Sequence, residues 1–335
     1  IDLFTPDLAR EALVDNADHL VRWERGIEVF AQSFGQSVLT TEGATWQRQR
    51  RMLMPAFTPK RVAGYAELMR EAARSVLDGA VPAGQGEARV VMDGLFGRVA
   101  MEAILRTLFS RSAQADAQAA TAATQVLSEV ALREMFWPVT LPDWLPLPGK
   151  AAKRHALHTL RSLVGRHIEE RRAQPPATAA ADAGTDLLAM LLALRDEDTG
   201  AGLSEAEVFD QCIVTFQAGH ETTSTALLWW SRLMAEHPAT AERASDEIDQ
   251  VLTGREPTPD DLAALPWLGA TLKEAMRLYP PVAALMSRRT TQDLRLGGWH
   301  VPRGTILRIT PWLLQRDARW FAEPEAFRPE RFMPD

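Results

Sequence analysis

Apolar positions recur with a helical period along most of the chain, and the strongest such stretch is residues 211–230, QCIVTFQAGHETTSTALLWW. It is apolar on almost every side, as expected of a helix buried inside a large domain. Its middle nevertheless holds Gly219, His220, Glu221, Thr222, Thr223 and Ser224. A mid-helix glycine opposes helix propensity, and a carboxylate with hydroxyls opposes apolar burial. A local violation inside a strong element marks the expected functional site. Ser204 and Glu207 have capping-box spacing, so the helix is predicted to start at about Glu205. Pro238 stops it at Glu236 or His237. Roughly 30 residues at 1.5 Å each give a rod of about 45 Å, the central beam of a domain.

Helix-start signatures recur at Thr5-Pro6 and Thr58-Pro59, and helical spacing continues through Leu8, Ala12 and Leu13. Further helices are predicted from near Ala44 to before Pro55, then over residues 61–77, 92–109, 113–134 and 150–172. Later ones cover residues 186–194, 239–252 and 268–278, with another start at Thr258-Pro259. Residues 33–43 read as a loose segment, 81–87 and 173–184 as connectors, and 138–148 as a proline-rich loop beside Trp137 and Trp144. A β signal appears only late. Leu294-Arg295-Leu296 and Trp299-His300-Val301 flank Gly297-Gly298 as a hairpin, and residues 305–310 form a further strand. The predicted fold is mainly α, many helices around one long central helix, with a small antiparallel β-sheet late in the chain. Residues 1–335 are read as a single domain.

Composition narrows the partners. A hydrophobic content of 46% with 24% charged residues is that of a soluble globular protein. The net charge of −7 argues against nucleic acid, which demands a basic footprint. No apolar run approaches the roughly 18 residues of a membrane span, so no membrane segment is expected. Cys212 is the one cysteine, which excludes a disulfide framework and points to a reducing, cytoplasmic compartment. Thirty-three arginines against 4 lysines, with abundant alanine, suggest a GC-rich bacterial source.

Several residues are placed to carry chemistry. His220-Glu221 begins like the HExxH zinc motif, but Ser224 stands where the second histidine is required, so zinc fails. As a proton site the stretch does better. Gly219 would let a flat body approach, Thr222 could bond back to the Ala218 carbonyl, and Glu221 could relay protons. A satisfied polar patch at a helix crossing is equally consistent with composition. Glu274 and Arg277 are one turn apart, and from their helix alone a solvated pair is the better reading. Trp46 and Arg50 offer two fixed donors for a carboxylate, or else a basic solvated face anchored by the indole. Cys212 lies in an apolar run and reads as inert core.

Together these pieces resemble, in order, the cytochrome P-450 family of haem-thiolate monooxygenases. Ala218-Gly219-His220-Glu221-Thr222-Thr223 is similar to that family's signature on its oxygen-activating helix. Glu274 and Arg277 match its ExxR motif, and residues 327–332, FRPERF, resemble its PERF segment, whose Arg331 would complete a buried triad. Trp46 and Arg50 resemble its haem-propionate clamp. The spacing from Arg288 to Asp293 is also similar, with Arg288 reaching a propionate.

The resemblance implies haem b as cofactor, with Ala218 and Gly219 beside it, Thr222 orienting oxygen and Glu221 feeding protons. It implies O2 and a hydrophobic small molecule as substrates, with Phe216, Val282, Ala284 and Leu285 lining the space. The loop of Trp137 and Trp144 corresponds to an access lid. A ferredoxin or flavodoxin is the implied electron donor, meeting a basic patch of Arg48, Arg51, Lys60 and Arg61. The family's axial cysteine lies in an FxxGxxxCxG loop after PERF, so that ligand is expected beyond Asp335, and the chain is expected to be incomplete at both ends, without the leading strands. A haem-free fragment and a helical binding domain for an apolar ligand are the alternatives.

Overall fold

The computed structural model describes residues 1–80, 89–110, 114–137, 139, 141–173 and 186–334. The connectors read at 81–87 and 174–184, and Pro138, lie outside the described residues. The chain forms two compact units, residues 25–221 and residues 1–24 with 222–335.

The first unit is helical. It contains α2 (Glu24–Phe34, from its second residue), α3 (Gly43–Leu53), α4 (Pro59–Gly64), α5 (Ala66–Ala80), α6 (Met92–Phe109), α7 (Gln114–Met135), α8 (Lys150–Arg172) and α9 (Leu187–Ala193). The central helix α10 (Glu205–Glu236) begins here. Its start is fixed as the capping box dictates: Glu207 N–H donates to Ser204 Oγ at 3.2 Å and Ser204 N–H to Glu207 Oε2 at 2.9 Å. Asp186 caps α9 by accepting from Ala189 N–H at 2.8 Å. Core residues include Met101, Leu105 and Leu108 of α6, Leu160 and Val164 of α8, Leu188 of α9, and Cys212 and Phe216 of α10. The single helix predicted over 61–77 is broken at Tyr65 into α4 and α5, and α2 occupies ground where no helix was expected.

The second unit holds α1 (Pro6–Arg10), the rest of α10, α11 (Pro238–Leu252), α12 (Pro266–Leu278), a short α13 (Pro311–Leu314) and all the strands. These are β1 (Asp2–Leu3), β2 (Leu20–Arg22), β3 (Arg288–Thr290), β4 (Leu294–Leu296), β5 (Trp299–Val301) and β6 (Ile306–Ile309). The predicted β4–β5 hairpin is present, its turn made by Gly297 and Gly298 at φ +57° and +83°. The larger sheet corrects the expectation of an antiparallel sheet confined to the end of the chain. Its order is β1-β6-β3-β2, with β1 parallel to β6 and the other pairs antiparallel. Two strands at the start of the chain were missed because runs of two and three residues carry no period. Leu3, Leu307 and Ile309 of this sheet share one core with Leu294, Leu296 and Val301 of the β4–β5 hairpin. Elsewhere in the unit Trp230 Nε1 donates to Thr271 Oγ1 at 2.9 Å, and Trp229 stacks on Tyr279 at 3.9 Å, holding α10 to α12.

Candidate functional site

Within α10 the run 211–217, buried except for a half-buried Thr215, gives way to an exposed Ala218, and Glu221 and Thr222 are half-buried. The helix is continuous through this change. Gly219 does not open space as expected. A Cβ built there would stand 2.9 Å from Ile104 Cδ1, so the glycine admits a side chain of α6 at a helix crossing. That corrects the reading of Gly219 as room for a cofactor. Phe216 is corrected too. It is fully buried on the core face shared with Cys212, not at a cavity wall. Cys212 is equally buried, and burial pushes its thiol well above the ordinary range, so it is no thiolate donor. His220 lies buried against Gly97, and burial pulls its pKa below the usual imidazole value.

Glu274 and Arg277 of α12 are 0% and 2% exposed, so the solvated reading is overturned. Arg277 Nε donates to Glu274 Oε2 at 2.7 Å and Nη2 to Oε1 at 2.8 Å. Its remaining donors reach the carbonyls of Gln315 (2.7 Å), Pro324 (2.8 Å) and Ala326 (3.1 Å). Arg331 Nε donates to Glu274 Oε1 at 3.3 Å, and the Arg328 N–H donates to the same oxygen at 2.9 Å. Every charge in this knot is therefore partnered, which is what a buried ion pair requires. The three carbonyls and the Arg328 N–H were not found in the sequence, since backbone groups leave no residue-type signal.

On α3 the Arg50 guanidinium stands over the Trp46 ring, 5.6 Å from its centroid, and is exposed. Arg50 forms no ion pair among the described residues, leaving its donors available to an anionic group. In the other unit Arg288 sits on β3, where its Nη1 donates to Met286 O at 2.7 Å. With Leu285 it lines a cavity of about 120 Å³, whose other walls include Leu13, Leu20 and Leu307. Val282 and Ala284 are exposed.

The expected basic patch is divided. Arg48 is paired with Glu207, and Arg51 with Asp196 (2.7 Å) and Asp198 (2.8 Å). Lys60 and Arg61 border a separate cleft of about 650 Å³ with Thr58, Tyr65 and Ser110. In the loop between α7 and α8, Trp144 is 76% exposed. Lys150 Nζ ties this loop down through Leu141 O and Asp143 Oδ1, both at 2.8 Å, and Lys153 Nζ also reaches Asp143 at 3.0 Å.

The family model for cytochrome P-450 matches residues 1–335. The chain belongs to the cytochrome P-450 family. It is 34% identical over 91% of its length to cyclooctat-9-en-7-ol 5-monooxygenase of Streptomyces melanosporofaciens. It is 33% identical over 90% of its length to pentalenene oxygenase of Streptomyces avermitilis. The chain spans 64% of the length of each of these relatives. In fold it is similar to a retinoic acid-bound cyanobacterial CYP120A1, with a TM-score of 0.81, 24% identity and coverage of 99% of this chain and 71% of that one. The cofactor of the P-450 family is haem, and the exposed Arg50 guanidinium over Trp46 and the small, exposed Ala218 fit such a group. Among the described residues no helix is long and apolar enough to cross a membrane, and no His, Cys, Asp and Glu cluster is built to hold a metal.

Proposed function

We propose that the full-length protein is a haem-thiolate monooxygenase that inserts one oxygen atom of O2 into a hydrophobic, terpenoid-type molecule. The family match over residues 1–335 carries this reading. The Streptomyces relatives, whose names specify cyclooctat-9-en-7-ol and pentalenene, support the substrate class. When bound, the haem supplies the iron at which dioxygen is activated, with a thiolate favouring O–O cleavage.

The chain's own residues have the following tasks. Trp46 and Arg50 hold a propionate through fixed N–H donors, and Arg288 is assigned a propionate by family resemblance. Ala218 leaves the distal flank of α10 uncrowded. The Thr222 hydroxyl holds the proton-donating water, and the Glu221 carboxyl renews that proton from solvent. Val282, Ala284 and Leu285 are assigned to the apolar substrate wall. The loop of Trp137 and Trp144 serves as access lid. Glu274, Arg277 and Arg331 keep α12 and the PERF turn in register. Since Cys212 is inert core, the axial thiolate is assigned to a cysteine beyond Asp335.

Lys60 and Arg61 remain as docking cations for an acidic ferredoxin or flavodoxin, because Arg48 and Arg51 are already neutralised. Reduction by that partner should slow as salt is raised. A bacterial cytoplasmic setting agrees with the single cysteine and the Streptomyces relatives. The test is Thr222→Ala in the full-length protein. Product formed per reduced cofactor should fall while cofactor consumption continues; an unchanged ratio overturns the assignment.

A further inference from the structure

Gln217 and His220 stand one turn apart on α10, and each is only 6% exposed. The proposed reaction uses neither. Gln217 Nε2 and both ring nitrogens of His220 lack a partner at full hydrogen-bond geometry among the described residues, the Gly97 backbone standing beside the imidazole without closing such a bond. Orphaned polar atoms this deep are rare in native proteins, and ordered water is their usual partner. A buried water needs two to four polar partners, and these three atoms lie on one helix turn. His220 faces Gly97 of α6, where the missing side chain leaves the space of one methyl, 3.8 Å from His220 Nε2.

The same crossing leads to solvent. Asp93 lies one turn before Gly97 on α6, is exposed, and its charge acts on the His220 imidazole. The next residue of α10 is the half-buried Glu221. We propose that Gln217 and His220 hold ordered water in a polar pocket between α6 and α10, and that this water and the imidazole carry protons from solvent at Asp93 to Glu221. The route rests on the assignment of Glu221 as proton donor; the water site does not.

Burial keeps the imidazole neutral near pH 7, so one ring nitrogen accepts while the other donates. A proton from water at Asp93 enters at the accepting nitrogen. The other nitrogen then releases its own proton to the water facing Glu221, and the return tautomer shift resets the ring. No net charge is left behind, and no oxidant or further reactant is consumed.

The test uses the full-length, haem-loaded protein. Nitrogen NMR of His220 should show a neutral ring with both nitrogens hydrogen-bonded. His220→Leu should lower the thermal midpoint by roughly 2–4 °C, because it strips partners from the water and from Gln217. A midpoint that rises in His220→Leu is the behaviour of dry, orphaned atoms and overturns the water site. For the route, His220→Leu and Asp93→Asn should both divert reducing equivalents to peroxide. His220→Gln should keep the midpoint yet lose coupling, since an amide holds water but does not exchange protons. If Glu221→Gln uncouples while the His220 and Asp93 variants stay coupled, the route alone is wrong. If Glu221→Gln itself stays coupled, the assignment of Glu221 is wrong, and the water site is judged by the thermal result.

Discussion

An exposed pair at the spacing of Glu274 and Arg277 is worth about 0.2–0.5 kcal/mol. Buried as these are, removing one partner leaves an unpaired charge in the core, so Glu274→Ala should cost roughly 3–5 kcal/mol in denaturant unfolding of the full-length protein. A loss below about 1 kcal/mol would mean that the knot is solvated after all. Phe216 makes a parallel case. As a core residue touching the face of Cys212, Phe216→Ala should cost roughly 3–5 kcal/mol. Near-parental stability with altered substrate binding would restore it to the substrate wall. Hydrophobicity alone does not separate a lining residue from a core residue on one helix. The choice depends on which 100° sector faces the neighbouring helix, and that is set by α6, far away in sequence.

At the scale of elements, two crossings decide the local geometry. Gly219 lets Ile104 of α6 approach α10, so Gly219→Ala trades a helix-propensity gain of about 1 kcal/mol against displacement of one flexible methyl. The net change in unfolding free energy should be small, and pairing it with Ile104→Val should make it stabilising; a large loss in the double variant would contradict the crossing. Asp196 anchors the turn before α10. The Arg51 guanidinium and the Thr199 N–H and hydroxyl hold its carboxyl at about 2, down from 3.8. A depressed carboxylate contributes stability that is complete above about pH 4 and is lost as pH falls toward 2. Acid unfolding of Asp196→Asn should therefore be less steep across that window than in the parent. Equal steepness would remove Asp196 from the linkage. Helix boundaries were legible wherever a cap or proline marks them, as at Ser204, Asp186 and Pro238. The break at Tyr65 and the two early strands were not, because nothing in their local sequence distinguishes them from their surroundings.

Across the whole chain, the motifs of α3, α10, α12 and the PERF turn were all visible as spaced side chains, and the family follows from them. What escaped were partners supplied by backbone or by distant elements: the carbonyls around Arg277, and the acids that quench Arg48 and Arg51. The proposed docking of an acidic partner is accordingly assigned to Lys60 and Arg61. Reversing both charges should weaken reduction and flatten its salt dependence, whereas unchanged salt dependence would move the docking face elsewhere. The central claim is that α10 serves a thiolate-ligated haem whose ligand is not Cys212. It is tested most directly by the reduced carbon-monoxide difference spectrum of the full-length protein carrying Cys212→Ser. The long-wavelength band of a thiolate-bound haem should persist in that variant as in the parent; a band absent from the parent, or lost with Cys212, would contradict the account.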